Sequence, residues 1–162
     1  MRGFLKTAAA ALAFALCAAP TSALADPQPS HPEIVTSTVQ DFMAAFDTGD
    51  EAQMRALMVE ESQVILVQED DESDTVRGLP LAELAARIAG SEANLKEPIE
   101  IRSVMIDGPV AMVWADYSLF VGSRRSHCGV DIFTLVREDG VWKIATITYS
   151  HITEPCEEAP AL

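Results

Sequence analysis

The sequence has few basic residues for its length. Its 162 residues include 11 Lys and Arg against 25 Asp and Glu, which gives a formal net charge of −14. Phosphate contacts need clustered Lys and Arg, and the chain has no such cluster, so a nucleic-acid partner is excluded. Apolar residues make up 49% of the chain, which is too many for a disordered acidic tail. These counts indicate an acidic globular protein.

The motifs of common metal, cofactor and nucleophile sites are also missing. The sequence has no Cys-x-x-Cys spacing, no nucleophile elbow around a serine, no phosphate loop and no dinucleotide-binding glycine motif. No stretch after residue 25 is long and apolar enough to span a bilayer. We therefore expect no metal, no cofactor and, after removal of residues 1–25, no membrane association.

Residues 1–25 have the pattern of a secretory signal peptide. A basic start with Arg2 and Lys6 is followed by an apolar, alanine-rich stretch over 7–19 and by the small-x-small sequence Ala23-Leu24-Ala25. This order predicts cleavage between Ala25 and Asp26, with export to the periplasm or secretion. Removing the 25 residues from the 162 leaves 137, the size of one domain with a sizeable core.

Two cysteines remain after cleavage, because Cys17 is removed with the signal peptide. In an oxidising compartment such a pair is more often a disulfide than a metal site. We predict a Cys128–Cys156 disulfide, with Pro155 turning the C-terminal tail back toward the edge of a sheet. The closed loop is expected to stabilise the fold by about 3 kcal/mol on the chain-entropy model.

The first half of the mature chain reads mainly as helices. Ser30 and Glu33 match a capping box, and Gly49 supplies a helix stop after a run with one apolar face. The predicted elements are a helix between Ser30 and Gly49, a short helix over 50–58, a short apolar strand over 64–67 and a third helix over 80–89.

From Pro98 onward the hydrophobic period changes to two, which is typical of strands. The predicted strands are Ile99–Ile106, Val110–Val121, Ser126–Glu138 and Val141–His151, separated by glycine-containing hairpin turns. Helices followed by a strand meander predict an α+β fold. In it, three N-terminal helices pack on one face of a curved antiparallel sheet.

Two-residue turns would fix which side chains share the inner face of this sheet. A turn at 139–140 pairs Asp131 with Thr148, and a turn at 122–123 pairs Trp114 with Asp131. The predicted inner face is apolar at one end and polar at the other. Its residues are Met112, Trp114, Asp116, Ser118, His127, Asp131, Phe133, Leu135, Ile144, Thr146, Thr148 and Ser150.

The polar end of this face predicts a ligand-binding cavity. Unpaired buried polar groups are costly, and apolar clefts with a few convergent polar groups are the usual binding sites. The alternative is that this end is exposed to solvent or that its carboxylates cap backbone groups. The expected lining is Trp114, Asp116, Ser118, His127, Asp131, Phe133, Thr146, Thr148 and Ser150, closed by Phe42, Met43 and Phe46 of the first helix.

Asp131, Asp116 and His127 are the candidate catalytic residues. Two carboxyl groups in a poorly solvated cavity cannot both ionise cheaply, so one of them can stay protonated and act as an acid. With His127 near the rim, this set could transfer protons. The alternative is structural, with Asp131 accepting hydrogen bonds from Trp114 or Thr148 and only ordering the cavity.

The opposite face of the same strands predicts a self-association surface. It carries Val130, Ile132, Ile147 and Tyr149, which is too apolar for an open surface. A homodimer formed sheet to sheet would cover it. Coverage by the N-terminal lead is the weaker alternative, because that lead is short.

The order of elements and two segments resemble the nuclear transport factor 2-like superfamily, including SnoaL-like domains. The matching segments are 42–50 (FMAAFDTGD) and 133–144 (FTLVREDGVWKI), the second being that superfamily's final hairpin. Segment 127–131 (HCGVD) resembles a feature of exported, uncharacterised members. The resemblance implies one domain over residues 26–162 with the shape of a conical half-barrel.

That superfamily contains isomerases, dehydratases, cyclases and non-catalytic association domains, so the fold does not decide the function. We expect an exported protein whose pocket binds a small ligand of apolar or mixed polarity. The alternatives are a general acid/base enzyme that uses Asp131 and Asp116, and a non-catalytic dimeric interaction module.

Overall fold

The computed structural model describes residues 30–69, 73–153, 155–156 and 159–162. The predicted signal peptide lies outside the described residues. No helix in the described ranges is long and apolar enough to cross a membrane. The elements are α1 His31–Thr48, α2 Glu51–Ala56, β1 Met58–Gln68, β2 Thr75–Pro80, α3 Leu81–Ala89, β3 Leu95–Lys96, β4 Ile99–Asp107, β5 Val110–Val121, β6 Arg124–Glu138 and β7 Val141–Ser150.

Within these residues the strands form one curved, unclosed sheet. Its order is β2-β1-β7-β6-β5-β3, and β4 pairs with β5 beside β3. β1 runs parallel to β7 while the other pairings are antiparallel, so the sheet is mixed. The core lies between the three helices and the inner face of the sheet. The predicted α+β class with three helices on a curved sheet is confirmed, but the sheet, predicted to be antiparallel, contains the parallel pair β1–β7.

Helix α1 begins and ends where its capping residues predict. The Ser30 backbone N–H donates to Glu33 Oε2 at 2.7 Å, and Gly49 closes the helix in the left-handed region with φ of 68°. Val35, Val39 and Phe42 on its apolar face are buried in the core. This buried face packs α1 against the inner face of the sheet.

One extra residue in β6 changes how β5 pairs with β6. The turn pairs Val121 with Arg124, as a two-residue hairpin predicts, but Leu119 pairs with His127. Ser126 is therefore the extra residue of a β-bulge. Because side chains alternate along a strand, this shift of one residue exchanges the inner and outer faces.

A second extra residue lies in β7. Leu135 pairs with Ile144 as predicted, but Thr134 pairs with Thr146, which leaves Ala145 as the extra residue. The strand bends there, and its alternation reverses in the same way as at the first bulge.

The predicted face assignments beyond the two bulges are wrong for this physical reason. Asp131 pairs with Ala115 and Tyr149, so Asp116 and Asp131 lie on opposite faces of the sheet. Ile147 and Tyr149, predicted outside, pack with the core. The residues predicted inside that lie on the outer face are Met112, Trp114, Asp116, Ser118, Thr146, Thr148 and Ser150.

A disulfide holds the C-terminal tail to the outer face, as predicted. It joins Cys128 of β6 to Cys156, with the two Cα atoms 6.0 Å apart. Cys128 also exchanges two backbone hydrogen bonds with Ile152, each of 2.9 Å. Arg125 donates to the carbonyl oxygens of Cys156 and Pro160 at 3.1 Å. The tail therefore covers the end of β6 on the side away from the helices.

Candidate functional site

A cavity of about 150 Å³ lies between α1, α3 and the inner face of the sheet. Most of its lining is apolar, and the polar groups come from β5, β6, β7 and the β3–β4 junction. Its apolar lining consists of Phe42, Met43, Phe46, Val64, Leu84, Ile88, Leu95, Leu119, Phe133 and Ile147. Its polar lining consists of Glu97, Tyr117, His127, Asp131 and Tyr149.

Asp131 is the most deeply buried acid of the cavity lining. It is 3% exposed, and within the described residues its Oδ2 atom has no hydrogen-bond partner. Burial raises the pKa of Asp131 to about 8, because a carboxylate loses its hydration there. At neutral pH the group is therefore mainly a carboxylic acid, which can donate a hydrogen bond.

Glu97 brings a second carboxyl group to the same cavity. Its backbone N–H donates to Asp47 Oδ1 at 2.8 Å, and the neighbouring Lys96 ammonium donates to the Asp47 carbonyl at 2.9 Å. These contacts with the end of α1 hold the β3–β4 junction over the cavity. Burial raises the pKa of Glu97 well above its usual range, and the negative charges of Asp131 and Asp47 raise it further.

Two tyrosines face the carboxyl groups from the flanking strands. The Tyr117 hydroxyl donates to the Ser150 carbonyl at 2.8 Å, and its ring meets Tyr149 edge to face at 6.1 Å. Burial raises the pKa of both phenols, and the charges of Asp131 and Glu97 add to the effect. Both phenols therefore stay neutral at physiological pH.

His127 lines the cavity without supplying a positive charge. Its ring stacks on His151 with centroids 3.9 Å apart and meets Tyr117 edge to face at 5.8 Å. The pKa of His127 is lowered to about 4, mainly by burial and in smaller part by electrostatic repulsion from His151. At neutral pH His127 is an uncharged imidazole, so it does not offset the two acids.

The structure brings half of the predicted site residues to the cavity. Those that line it are Phe42, Met43, Phe46, His127, Asp131 and Phe133. Those that do not are Trp114, Asp116, Ser118, Thr146, Thr148 and Ser150, all on the outer face. The predicted pairing of Asp116 with Asp131 as an acid/base couple is wrong, because the bulge at Ser126 separates their faces.

Two of the polar residues on the outer face, Asp116 and Ser150, have structural partners there. Asp116 Oδ2 accepts a hydrogen bond from Arg102 Nε at 2.7 Å, within an ion pair. Ser150 Oγ accepts one from the Val130 backbone N–H at 3.0 Å. These contacts give Asp116 and Ser150 roles in the sheet and not in the cavity.

Sequence reasoning missed Glu97, Tyr117 and Tyr149. The tyrosines were hidden by the bulges, since an unbroken register places both outside. For Glu97 one signal exists in the sequence, an acidic residue between apolar Leu95 and Ile99 just before a strand.

Chemically, the cavity offers acid groups in an apolar setting. No three His, Cys, Asp or Glu side chains in the described part of the chain are grouped so that they could hold a metal ion. Asp131 can donate a hydrogen bond when protonated and accept one when ionised, and its raised pKa makes both forms accessible near neutral pH.

Comparison with solved structures assigns the fold class. An NTF2-like protein of unknown function from Shewanella baltica matches with a TM-score of 0.60 at 16% identity, covering 79% of this chain and 99% of its own. An NTF2-like protein with a cystatin-like fold from Novosphingobium aromaticivorans matches with a TM-score of 0.61 at 16% identity, covering 79% and 85%. The fold is therefore that of the nuclear transport factor 2-like superfamily.

A match to a family model identifies the family within this fold class. The model described as "Putative lumazine-binding" matches residues 30–150, which include every helix and strand of the domain. The chain belongs to this family. Among curated proteins no match was found.

The buried acids predict a stability that falls as pH rises. In the unfolded chain Asp131 ionises near 3.8, whereas in the folded protein it holds its proton until about pH 8. Between these values the folded state binds more protons, so the free energy of unfolding should fall by up to about 1.4 kcal/mol per pH unit. Asp131→Asn should reduce this slope, leaving the contribution of Glu97, which has the same sign.

Urea unfolding between about pH 5 and about pH 8 measures the slope. Asp107→Asn, at the exposed end of β4, is the matched control and should keep the wild-type slope. A slope that is the same in Asp131→Asn and in the wild type would contradict the buried-acid assignment.

Proposed function

We propose that the protein binds a small organic molecule in the cavity, with Asp131 as its polar anchor. The observation that carries this proposal is the unpartnered, buried Oδ2 atom of Asp131 in a lining that is otherwise mostly apolar. A buried polar atom without a partner costs free energy, and a ligand that hydrogen-bonds to it would recover that cost.

The size and shape of the cavity favour a compact ring. An apolar cavity of about 150 Å³ is large enough for a benzene-sized ring. Phe42, Phe46 and Phe133 present aromatic surface to such a ring from α1 and β6. The family description names lumazine, a flat ring compound, as the ligand of that family, which supports the same ligand shape.

A general acid/base enzyme is the second candidate function. Two carboxyl groups, those of Asp131 and Glu97, line the cavity, and the pKa of Asp131 near 8 lets it both hold and release a proton. In such an enzyme Glu97 would be the second carboxyl group of the acid/base pair, a role that the sequence analysis gave to Asp116. Loss of turnover in Asp131→Asn with ligand binding retained would favour the enzyme.

Ligand binding is tested with single-ring compounds, beginning with benzyl alcohol. At about ten times its Kd, a ligand should stabilise the folded protein by about 1.4 kcal/mol, visible as a rise in Tm. Leu119→Trp should abolish the rise, because the larger side chain fills the cavity that Leu119 lines. Leu79→Trp, at a half-buried leucine outside the lining, is the control and should retain it. An equal rise in both variants would contradict binding in the cavity.

We also propose that the protein is a homodimer through the outer face of the sheet. Met105 is 57% and Trp114 39% exposed there, and half-buried Val130 and Ile132 continue the apolar surface. Exposed apolar patches of this kind mark protein interfaces, and a two-fold pairing would cover the same patch on both copies. Ile147 and Tyr149 take no part, because they face the core.

Light scattering on the purified protein tests the homodimer. The wild type should have the mass of two chains, and Ile132→Asp should have the mass of one, because it places a charge in the interface. Ala44→Asp adds the same charge at an exposed position of α1 and should remain dimeric. A monomeric wild type, or a dimeric Ile132→Asp, would disprove the proposed interface.

Export is the third part of the proposal, supported by the signal-peptide pattern and by the Cys128–Cys156 disulfide, which suits an oxidising compartment. Expressed in a bacterium from Met1, the protein should accumulate in the periplasm with Asp26 as its first residue. Its intact mass should correspond to two oxidised cysteines. A chain that starts at Met1, or one with two free thiols, would refute export with cleavage at this position.

A further inference from the structure

We infer that the cavity selects a small organic cation, an amine on an apolar ring, over neutral and anionic molecules of the same size. This inference rests on the proposed ligand-binding function and specifies its ligand class. Two carboxyl groups of the lining, Asp131 and Glu97, have no cationic partner among the lining residues. A ligand that carries a positive charge would supply that partner.

No basic side chain of the described lining acts as a partner for Asp131 and Glu97. None of the described lining residues is Lys or Arg. Lys96, the base nearest in sequence to Glu97, is engaged by the end of α1, where its ammonium lies 2.9 Å from the Asp47 carbonyl and 3.7 Å from the Asp47 carboxylate. Asp47 itself is a further negative charge beside Glu97.

The titratable groups that face Asp131 from the strands are also uncharged at neutral pH. Tyr117 on β5 and Tyr149 on β7 are neutral phenols, and His127 on β6 is a neutral imidazole stacked on His151. The lining therefore contains acids and neutral groups, with no base to pair them. An organic anion would lose its hydration in this cavity without a basic partner, so it should be excluded.

The aromatic rings of the lining also favour binding of a cation. The faces of phenylalanine and tyrosine rings attract ammonium groups within about 6 Å, more strongly where water is excluded. Rings line the cavity from α1, β5, β6 and β7, as Phe42, Phe46, Phe133, Tyr117 and Tyr149. The net charge of −14 also draws cations toward the protein.

A neutral ligand would use the cavity differently, and the difference can be measured. A neutral acceptor takes a hydrogen bond from protonated Asp131 and leaves its proton in place. An ammonium group pairs with the ionised carboxylate, so its binding displaces the Asp131 proton into solution. Because Asp131 is mainly protonated at pH 7, binding of an amine should release close to one proton.

The experiment compares benzylamine, benzyl alcohol and benzoate by calorimetry at pH 7, where an alkylamine is protonated. Benzylamine should bind at least about tenfold more tightly than benzyl alcohol, and benzoate should not bind. Repeating the titration in buffers with different ionisation enthalpies gives the number of protons released, expected close to one for benzylamine and none for benzyl alcohol. Benzylamine affinity should rise by up to about tenfold per pH unit toward pH 8.

Three variants test whether Asp131 causes the preference for benzylamine and the proton release. Asp131→Asn should bind benzyl alcohol but lose the preference for benzylamine and the proton release. Asp116→Asn is the matched control, since that acid lies on the outer face, and it should behave as the wild type. Glu97→Gln is a second variant, expected to weaken benzylamine more than benzyl alcohol even if Asp131→Asn fails to fold.

The outcomes separate this inference from the proposed function. If benzyl alcohol binds as tightly as benzylamine in the cavity, or benzylamine binds without proton release, cation selection is overturned and ligand binding stands. If no compound binds, both are overturned.

Discussion

The cavity depends on two extra residues in the strand meander, Ser126 in β6 and Ala145 in β7. Each forms a bulge that bends its strand and reverses the alternation of the residues beyond it. The first turns Tyr117 on β5 toward the helices together with Asp131, and the second does the same for Tyr149 on β7. The two bulges therefore determine which side chains of β5 and β7 lie on the inner face.

The lining that results is a low-dielectric space that raises the pKa of two acids. Its apolar residues remove water from Asp131, and the negative charge of Asp131 makes ionisation of Glu97 harder. His127 cannot neutralise them, because the same burial and the charge of His151 keep its imidazole unprotonated. The pH dependence of stability and the proposed choice of ligand thus depend on one property, the protonation of the buried carboxyl groups of Asp131 and Glu97.

Local sequence signals sufficed for the elements and the fold class. The Ser30–Glu33 cap, the Gly49 stop and the change of period at Pro98 depend on neighbouring residues, so they can be read from short segments. The resemblance of segment 133–144 to a known final hairpin fixed the topology at the C-terminal end. The parallel pairing of β1 with β7 joins distant parts of the chain, and no local pattern encodes it.

The site was predictable only in part, because it depends on register. Asp131 and Phe133 were assigned to the inner face from the hydrophobic pattern of β6, which the bulges leave unchanged. The neighbours of Asp131 were misassigned, since nothing in the local sequence marks Ser126 or Ala145 as an extra residue. Trp114, Asp116 and Thr148 were therefore expected in the cavity, although the structure places them on the outer face.

The most direct measurement of the buried-acid interpretation is the pKa of Asp131 itself. Carbon-13 NMR of the side-chain carboxyl groups, assigned by comparison with Asp131→Asn, follows its titration in the folded protein. The structure predicts a pKa near 8 for Asp131. It also predicts that the pKa of Glu97 lies well above the usual range of a glutamate. A carboxyl group that titrates near the ordinary value of about 3.9 for aspartate would contradict it.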